Sequence, residues 1–143
     1  MQPSCFNLGS CCNFKQESAN VGVATASVAN TNLNGTGAIV PIYQAGAGMS
    51  GSFIKCITVK ALQSTNPGMI RLFISPPGGS PQYILFQEKM VVETTQSSFD
   101  ASMKFQLEQN FNIPADYIIG ASTQIGQSFA FTVEGWDWTY PIS

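Results

Sequence analysis

The sequence predicts an all-β domain: an antiparallel β-sandwich, jelly-roll-like, of about eight strands, preceded by an extended N-terminal arm. Three observations predict this fold class. Short apolar or alternating segments recur along the chain, clusters of Gly, Pro and Asn separate them, and no segment has the period of an amphipathic helix. We therefore divide the chain into an arm, residues 1–20, and a sandwich domain, residues 21–143.

Most of the predicted strands have a clear apolar pattern. Residues 52–62 alternate, with Ile57 and Val59 on one face and polar side chains on the other. Residues 69–75 are mostly apolar on both faces, which is typical of a central strand. Pro41 cannot donate to a ladder and therefore indicates an edge or a bulge. The predicted strands are residues 21–29, 38–46, 52–62, 69–75, 82–92, 103–111, 117–121 and 127–141.

The segments between the strands carry turn signals. The pair Asn34 and Gly35 is typical of a hairpin. The stretch "SPPGGSP", residues 75–81, combines three prolines with two glycines and predicts a wide turn between neighbouring strands. Residues 93–102 are polar and predict a second loop. We expect the loops at 75–81 and 93–102 to face outward.

Composition excludes several classes of function. Only 10% of the residues are charged, against about 25% in a typical globular domain. This low fraction fits a chain that hides much of its surface against neighbours, and it equally fits an extracellular or virion protein whose surface is neutral and polar. Net charge is −2 and the six basic residues are scattered, which argues against nucleic-acid binding. No apolar run reaches the ~18–20 residues of a membrane span. Because the chain has no histidine, Ser–His–Asp and Cys–His catalysis and most imidazole metal sites are excluded. We predict no enzyme, no cofactor and no metal site.

The N-terminal arm has an unusual composition. Three of the four cysteines lie in its first twelve residues, and vicinal Cys11 and Cys12 match no familiar zinc spacing. Cys56 lies in a strand-like segment, where a free thiol behaves as a small apolar group. Exposed apolar side chains in an arm need a surface to dock on, and the alternative is that the arm folds back over its own domain. The predicted docking residues are Cys5, Phe6, Leu8, Cys11, Cys12 and Phe14.

The C-terminal aromatic residues allow two interpretations. In a strand, Trp136 and Trp138 share one face and Asp137 lies on the other. The pair, with Tyr140, could stack on sugar rings, or it could close the core or a subunit interface, where tryptophan is favoured. We favour the second interpretation. Arg71, inside an apolar strand, is predicted to be paired or to lie at a sheet face or subunit contact rather than to bind an anion or catalyse.

Two stretches resemble a known family. Residues 35–74 and 113–138, about half of the chain, are similar to small virion proteins of tailed phages. The matching segments are the glycine-rich turn Ala45–Ser52, the strand Ile54–Ala61, and the segment Thr65–Ile74 with its "GMIRLF" core. Near the end, "GAST" at 120–123 and the strand that leads to Trp138 match as well. Residues 1–20 have no counterpart in this pattern.

The resemblance implies a structural function at the surface of a phage capsid. Members of the family are capsid decoration or head-fibre components, so the implied partners are the major capsid protein or other virion proteins. The apolar strand faces and C-terminal aromatics predict a homo-oligomer, with a trimer favoured. The alternative is a carbohydrate- or receptor-binding module of a phage tail or fibre, which would use the C-terminal aromatics on a host surface glycan.

Overall fold

The computed structural model describes residues 16–46, 51–93, 102–106 and 111–139. The described residues contain nine strands and no helix, and among them no helix is long and apolar enough to span a membrane. The all-β prediction is therefore confirmed. The strands are β1 (Gln16–Ala26), β2 (Val40–Gln44), β3 (Ser52–Ala61), β4 (Gly68–Ser75), β5 (Ile84–Val91), β6 (Ser102–Phe105), β7 (Asn112–Ile113), β8 (Ile118–Thr123) and β9 (Phe129–Thr139).

The strands form two antiparallel sheets, which confirms the predicted sandwich. The first sheet has the order β1-β9-β3-β6, and β7 pairs with the upstream part of β3. The second sheet has the order β2-β8-β4-β5. The first and last strands pair along their whole length, from Gln16 opposite Thr139 to Ala26 opposite Phe129. This long pairing joins two segments that are distant in the sequence.

The two ends of the sandwich carry different loops. We call the end where β1 begins the upper end, and the end where β1 finishes the lower end. Residues at the upper end include Gln16, Ser52, Ser75 and Thr139, and residues at the lower end include Ala26, Ala61, Gly68 and Phe129. The loop at 76–83 joins paired β4 and β5 at the upper end, which confirms the predicted turn. Strand β5 ends and strand β6 begins at the lower end, and most of the predicted loop at 93–102 lies outside the described residues.

The core lies between the sheets. Ile57, Val59, Phe131 and Val133 are fully buried on the inner face of the first sheet, as the period-two pattern predicted. Ile70, Leu72, Ile119 and Ala121 face them from β4 and β8. The central strand β4 is buried on both faces. Because alternate residues of a strand point to opposite faces, the outer face of β4 must also be covered.

The covering element is the crossing segment, residues 27–39, which connects β1 in the first sheet to β2 in the second. Ala29 makes a parallel bridge to Thr123, and Asn30 donates its backbone N–H to the Thr123 carbonyl at 2.8 Å. The buried Asn30 amide donates to the carbonyls of Thr36 and Ala38 at 3.0 and 3.1 Å. Asn30 thus holds the segment together where it crosses the second sheet.

A second small core forms beneath this segment. Phe73 is 0% exposed on the outer face of β4 and meets Tyr83 edge-on at 6.3 Å between ring centroids. Opposite Phe73, residue 120 must be glycine, because a Cβ there would lie 2.7 Å from both the Ile39 and Tyr83 side chains. The outer faces of β4 and β8 are therefore covered by the chain itself, whereas Met90 on the outer face of the edge strand β5 is 55% exposed.

Two predictions about local structure need correction. Asn34 and Gly35 do not form a hairpin, because they lie in the crossing segment between strands of different sheets. Gly35 does have a positive φ of 83°, so its turn signal is real. Strand β1 begins at Gln16, so residues 16–20 of the predicted arm belong to the sheet. Residues 1–15 lie outside the described residues.

Candidate functional site

An aromatic cluster lies at the upper end of the first sheet, on its outer face. Phe53 of β3 is opposite Trp136 of β9, and their rings stack with centroids 4.6 Å apart and planes 21° apart. Trp138 meets Trp136 edge-on, at 6.0 Å and 87°. The Trp138 indole N–H donates to the Asn112 side-chain oxygen at 2.8 Å. As predicted, the two tryptophans share one face of a strand.

The cluster rests on a polar network on the inner side of the same strand. Asp137 points between the sheets, where its Oδ1 accepts hydrogen bonds from the Asn20 amide at 3.0 Å and the Gly46 N–H at 3.2 Å. The Ser52 hydroxyl also donates to this oxygen. Asp137 therefore joins β1, β3, β9 and the turn after β2. Charged acceptors make strong hydrogen bonds, so this network fixes the strand end that carries both tryptophans.

Tyr43 borders this network. Its hydroxyl is buried and, among the described residues, has no hydrogen-bond partner. Burial raises the pKa of Tyr43 above its usual value of 10.0, and the nearby Asp137 carboxylate raises it further. The Tyr43 side chain thus stays neutral and packs at the upper end of the core, beside the polar network.

Apolar side chains extend the cluster along β1. Val21 and Val23 lie on the same outer face and are 60% and 72% exposed. With Phe53, Trp136 and Trp138 they form a surface that we call the outer apolar face, on which the exposed Glu134 lies opposite Val21. Exposed apolar side chains that lie side by side mark interaction surfaces more often than isolated ones do. The outer apolar face is therefore a candidate contact surface.

The Trp136 side chain contributes a further feature of this face. Its indole nitrogen is buried and, in the part of the chain that the structure describes, has no hydrogen-bond partner. One face of the ring is covered by Phe53. Trp136 is consequently packed into the protein, and Trp138 is the tryptophan whose polar edge is engaged at the surface.

Arg71 lies elsewhere. It is on the outer face of β4 in the second sheet, 7% exposed, where its Nε donates to Glu88 at 3.0 Å. Its Nη1 donates to the Asn30 carbonyl of the crossing segment at 3.4 Å. Arg71 and the tryptophans, which the sequence indicates as candidate site residues, thus lie on the outer faces of different sheets. Arg71 is paired with Glu88, and its role in self-association or ligand binding stays a prediction.

The remaining predicted site residues lie outside the described residues. These are the docking residues Cys5, Phe6, Leu8, Cys11, Cys12 and Phe14, together with Tyr140. Their roles stay predictions. The structure does place the start of β1: Gln16 is opposite Thr139 and Glu17 is opposite Trp138. The residue that follows the undescribed segment 1–15 in the sequence therefore lies beside the strand end that carries the aromatic cluster.

Sequence reasoning missed Phe53 as part of this site. Between Ile54 and Cys56 the pairing of β3 with β9 shifts at a bulge. The shift places Phe53 and Cys56 on the same face although they are three residues apart, which breaks the period of two. Gly135 supplies the only signal: a side chain there would meet the Phe53 carbonyl, as the close approach at a bulge requires.

No family model matches the chain, and no curated protein matches it. The solved structures that are similar to it include the following two. One belongs to the acidic stable capsid structure of Helicobacter pylori bacteriophage KHP30, with 7% identity and a TM-score of 0.44, over 85% of this chain and 92% of that chain. The other is the Clostridium thermocellum endo-1,4-β-D-xylanase 10B, a CBM22-1–GH10 protein complexed with xylohexaose.

The likeness to the xylanase has 15% identity and a TM-score of 0.38, over 92% of this chain and 28% of that chain. This chain thus spans less than a third of the xylanase modules. Both TM-scores lie below 0.5, so neither likeness bears on function.

Proposed function

We propose that this chain is a non-enzymatic structural protein of a tailed-phage particle, located on the capsid surface as a decoration protein or as the base of a head fibre. One observation carries the proposal. The outer apolar face and the start of the predicted docking arm lie together at the upper end of the first sheet. In this proposal, these two features, which the sequence suggested separately, contribute to the same contact with the shell.

The chemistry of this face supports a protein contact. Its aromatic rings are held in place by neighbours, since Phe53 stacks on Trp136 and Asn112 bonds Trp138. Aromatic anchors with few charges are typical of the centre of a protein interface. Between Glu17 and Lys55 the chain carries no charged residue, so most of β1 brings no charge to the contact. The phage assignment itself is supported by the sequence resemblance over residues 35–74 and 113–138.

The test is co-sedimentation of the purified protein with shells of the phage that encodes it. We expect saturable binding by the full chain and a loss of binding when residues 1–15 are removed. This truncation keeps all of β1, whereas removal of residues 1–20 would cut into the sheet. We expect Trp138→Ala to weaken shell binding by about tenfold, as truncation of an interface anchor does.

The matched control is Ile84→Ala, a large apolar residue that is 63% exposed on the second sheet. It should bind shells like the unchanged protein. Full binding by both the truncated chain and Trp138→Ala would refute docking through this end of the domain.

A second candidate function is carbohydrate binding. The observation that favours it is the pairing of an aromatic ring, Trp138, with a side-chain amide, Asn112, at the outer face. Against it, the two indole planes are 87° apart, so they cannot form one flat stacking platform. A glycan array decides: binding of a defined sugar that is lost in Trp138→Ala, together with no binding to shells, would replace the proposed function.

A further inference from the structure

The strand β1 has one unpaired edge. It lies at the end of the first sheet and pairs with β9 on one side over all eleven residues. Among the described residues, no strand pairs with its other side. Its outward side chains Val21 and Val23 are mostly exposed. An edge of this length offers a row of free N–H and C=O groups to another strand.

The other edge strands carry protective features. Pro41 and a register shift interrupt β2, Glu88 and Lys89 are exposed on β5, and Lys104 is exposed on β6. Charges, prolines and bulges are the features by which natural proteins prevent pairing between sheet edges. In β1, residues 18–26 contain no charge, no proline and no register shift. Among the described residues, the edges of β2, β5 and β6 are therefore protected and the edge of β1 is not. The β2 backbone approaches β1 closely at Gly22, where a Cβ would lie 1.9 Å from the Ile42 carbonyl oxygen.

A second copy of the same strand is the occupant that this edge fits. Two identical strands that pair antiparallel are related by a two-fold axis. For the whole of β1 to pair, the axis must pass beside its central residue, Val21. Glu17 then lies opposite Thr25, so no two like charges meet, and Val23 lies opposite Ala19. The strand is thus compatible with itself in charge and in side-chain size.

We infer that β1 pairs antiparallel with β1 of a second copy of this chain, about a two-fold axis beside Val21. The pair would gain roughly ten main-chain hydrogen bonds and join two first sheets into one. The outer apolar faces of both copies would then lie on the same side of the joined sheet. This inference goes beyond the proposed function, because the pairing forms in the free protein and needs no shell.

The pairing predicts that the protein in solution has the molar mass of a dimer, whereas the sequence favoured a trimer. Sedimentation velocity of the full-length protein, run as a dilution series without shells, should show a reversible dimer. A monomer at all concentrations, or a closed trimer, would overturn the inference. Shell binding plays no part in this measurement, so its outcome is independent of the docking test.

The first variant is Val21→Lys, which places two lysines directly opposite each other at the axis. Since like charges opposite one another are unfavourable, dimerisation should weaken by about tenfold or more. The matched control is Val28→Lys, because Val28 is 63% exposed and lies outside β1. Equal dimerisation by both variants would overturn the inference.

The second variant tests the register without relying on weakened association. Val21→Cys should form a disulfide with its own copy on mild oxidation, identified by peptide mapping, since opposed residues have Cβ atoms about 4.5–5.5 Å apart. Thr25→Cys is the control, because its two copies would lie about eight residues apart along the pair, roughly 27 Å. Peptide mapping that finds a link between the two introduced thiols of Thr25→Cys, or none between those of Val21→Cys, would overturn the proposed pairing.

Discussion

The outer faces of the two sheets differ in what covers them. On the second sheet, the crossing segment and Tyr83 cover Phe73 and Arg71 almost completely. On the first sheet, Val21 and Val23 remain open. The central strand of the second sheet is thus packed on both faces by its own chain, whereas the outer face of β1 in the first sheet is open. Because the core between the sheets is fully packed, the exposed outer face of β1 is a local feature of the first sheet and does not reflect loose packing of the whole sandwich.

The largest expected effect tests the covered face. Phe73→Ala should lower the free energy of unfolding by about 3–5 kcal/mol, because it leaves a cavity beneath the crossing segment. Chemical denaturation measures the change. A loss below about 1 kcal/mol would mean that the crossing segment does not form a second core, and the comparison between the faces would break down.

A smaller effect is expected at the ion pair that anchors the crossing segment. Arg71→Ala leaves the Asn30 carbonyl and Glu88 without their donor. Since Glu88 is one-third exposed and keeps access to water, we expect a loss of about 1–3 kcal/mol in denaturation experiments. Glu88→Gln retains an acceptor and should lose less. An equal loss in both variants would mean that the contact to Asn30 contributes nothing.

The third prediction concerns Tyr43, which is buried between the two sheets, and its effect on stability as pH changes. Because burial raises the pKa of Tyr43 in the folded state above 10.0, the folded protein holds its proton more tightly than the unfolded chain. The contribution of Tyr43 to the free energy of unfolding is fully present below pH 10 and is lost as pH rises through the pKa of Tyr43 in the folded protein. Tyr43→Phe should therefore be within about 1 kcal/mol of the unchanged protein at pH 7.

Above pH 10, Tyr43→Phe should lose stability less steeply than the unchanged protein. The pKa of Tyr83 is also raised by burial, so part of the alkaline slope remains in the variant. Thermal unfolding from pH 7 to 11 measures how steeply stability falls with pH in the variant and in the unchanged protein. Identical slopes would show that Tyr43 is not the group that titrates.

The smallest expected effect tests the open face. Val23→Ser should change the unfolding free energy of the dilute protein by no more than about 0.5 kcal/mol, because the side chain is mostly exposed. The measurement is the denaturation midpoint beside that of Phe73→Ala. A loss above about 1 kcal/mol would show that this face is packed within the protein.

Alternation along the chain predicted most of the fold. Every predicted strand overlaps an observed one, and the inward faces of β3 and β9 were assigned correctly because period-two patterns are local. Residues 16–20 were missed because their strand character comes from pairing with β9, more than a hundred residues away. A single sequence shows no such partner.

The site was less predictable than the fold. Trp136 and Trp138 were found from their spacing, but the bulge in β3 hid Phe53. The sequence could not show that Arg71 and the tryptophans lie on different sheets, because strand order decides which sheet a residue belongs to. The Asn34–Gly35 signal predicted a turn but not that it would lie on a segment crossing between sheets.

The pairing of Gln16 with Thr139 has a practical consequence for engineering. A reporter fused after residue 139 would emerge next to the segment before β1 and would crowd the proposed docking surface. Val91, which ends β5, and Ser102, which begins β6, lie at the opposite end of the domain. A peptide inserted between these two residues would be displayed away from that surface, which makes this connection the preferred place for a label or an affinity tag.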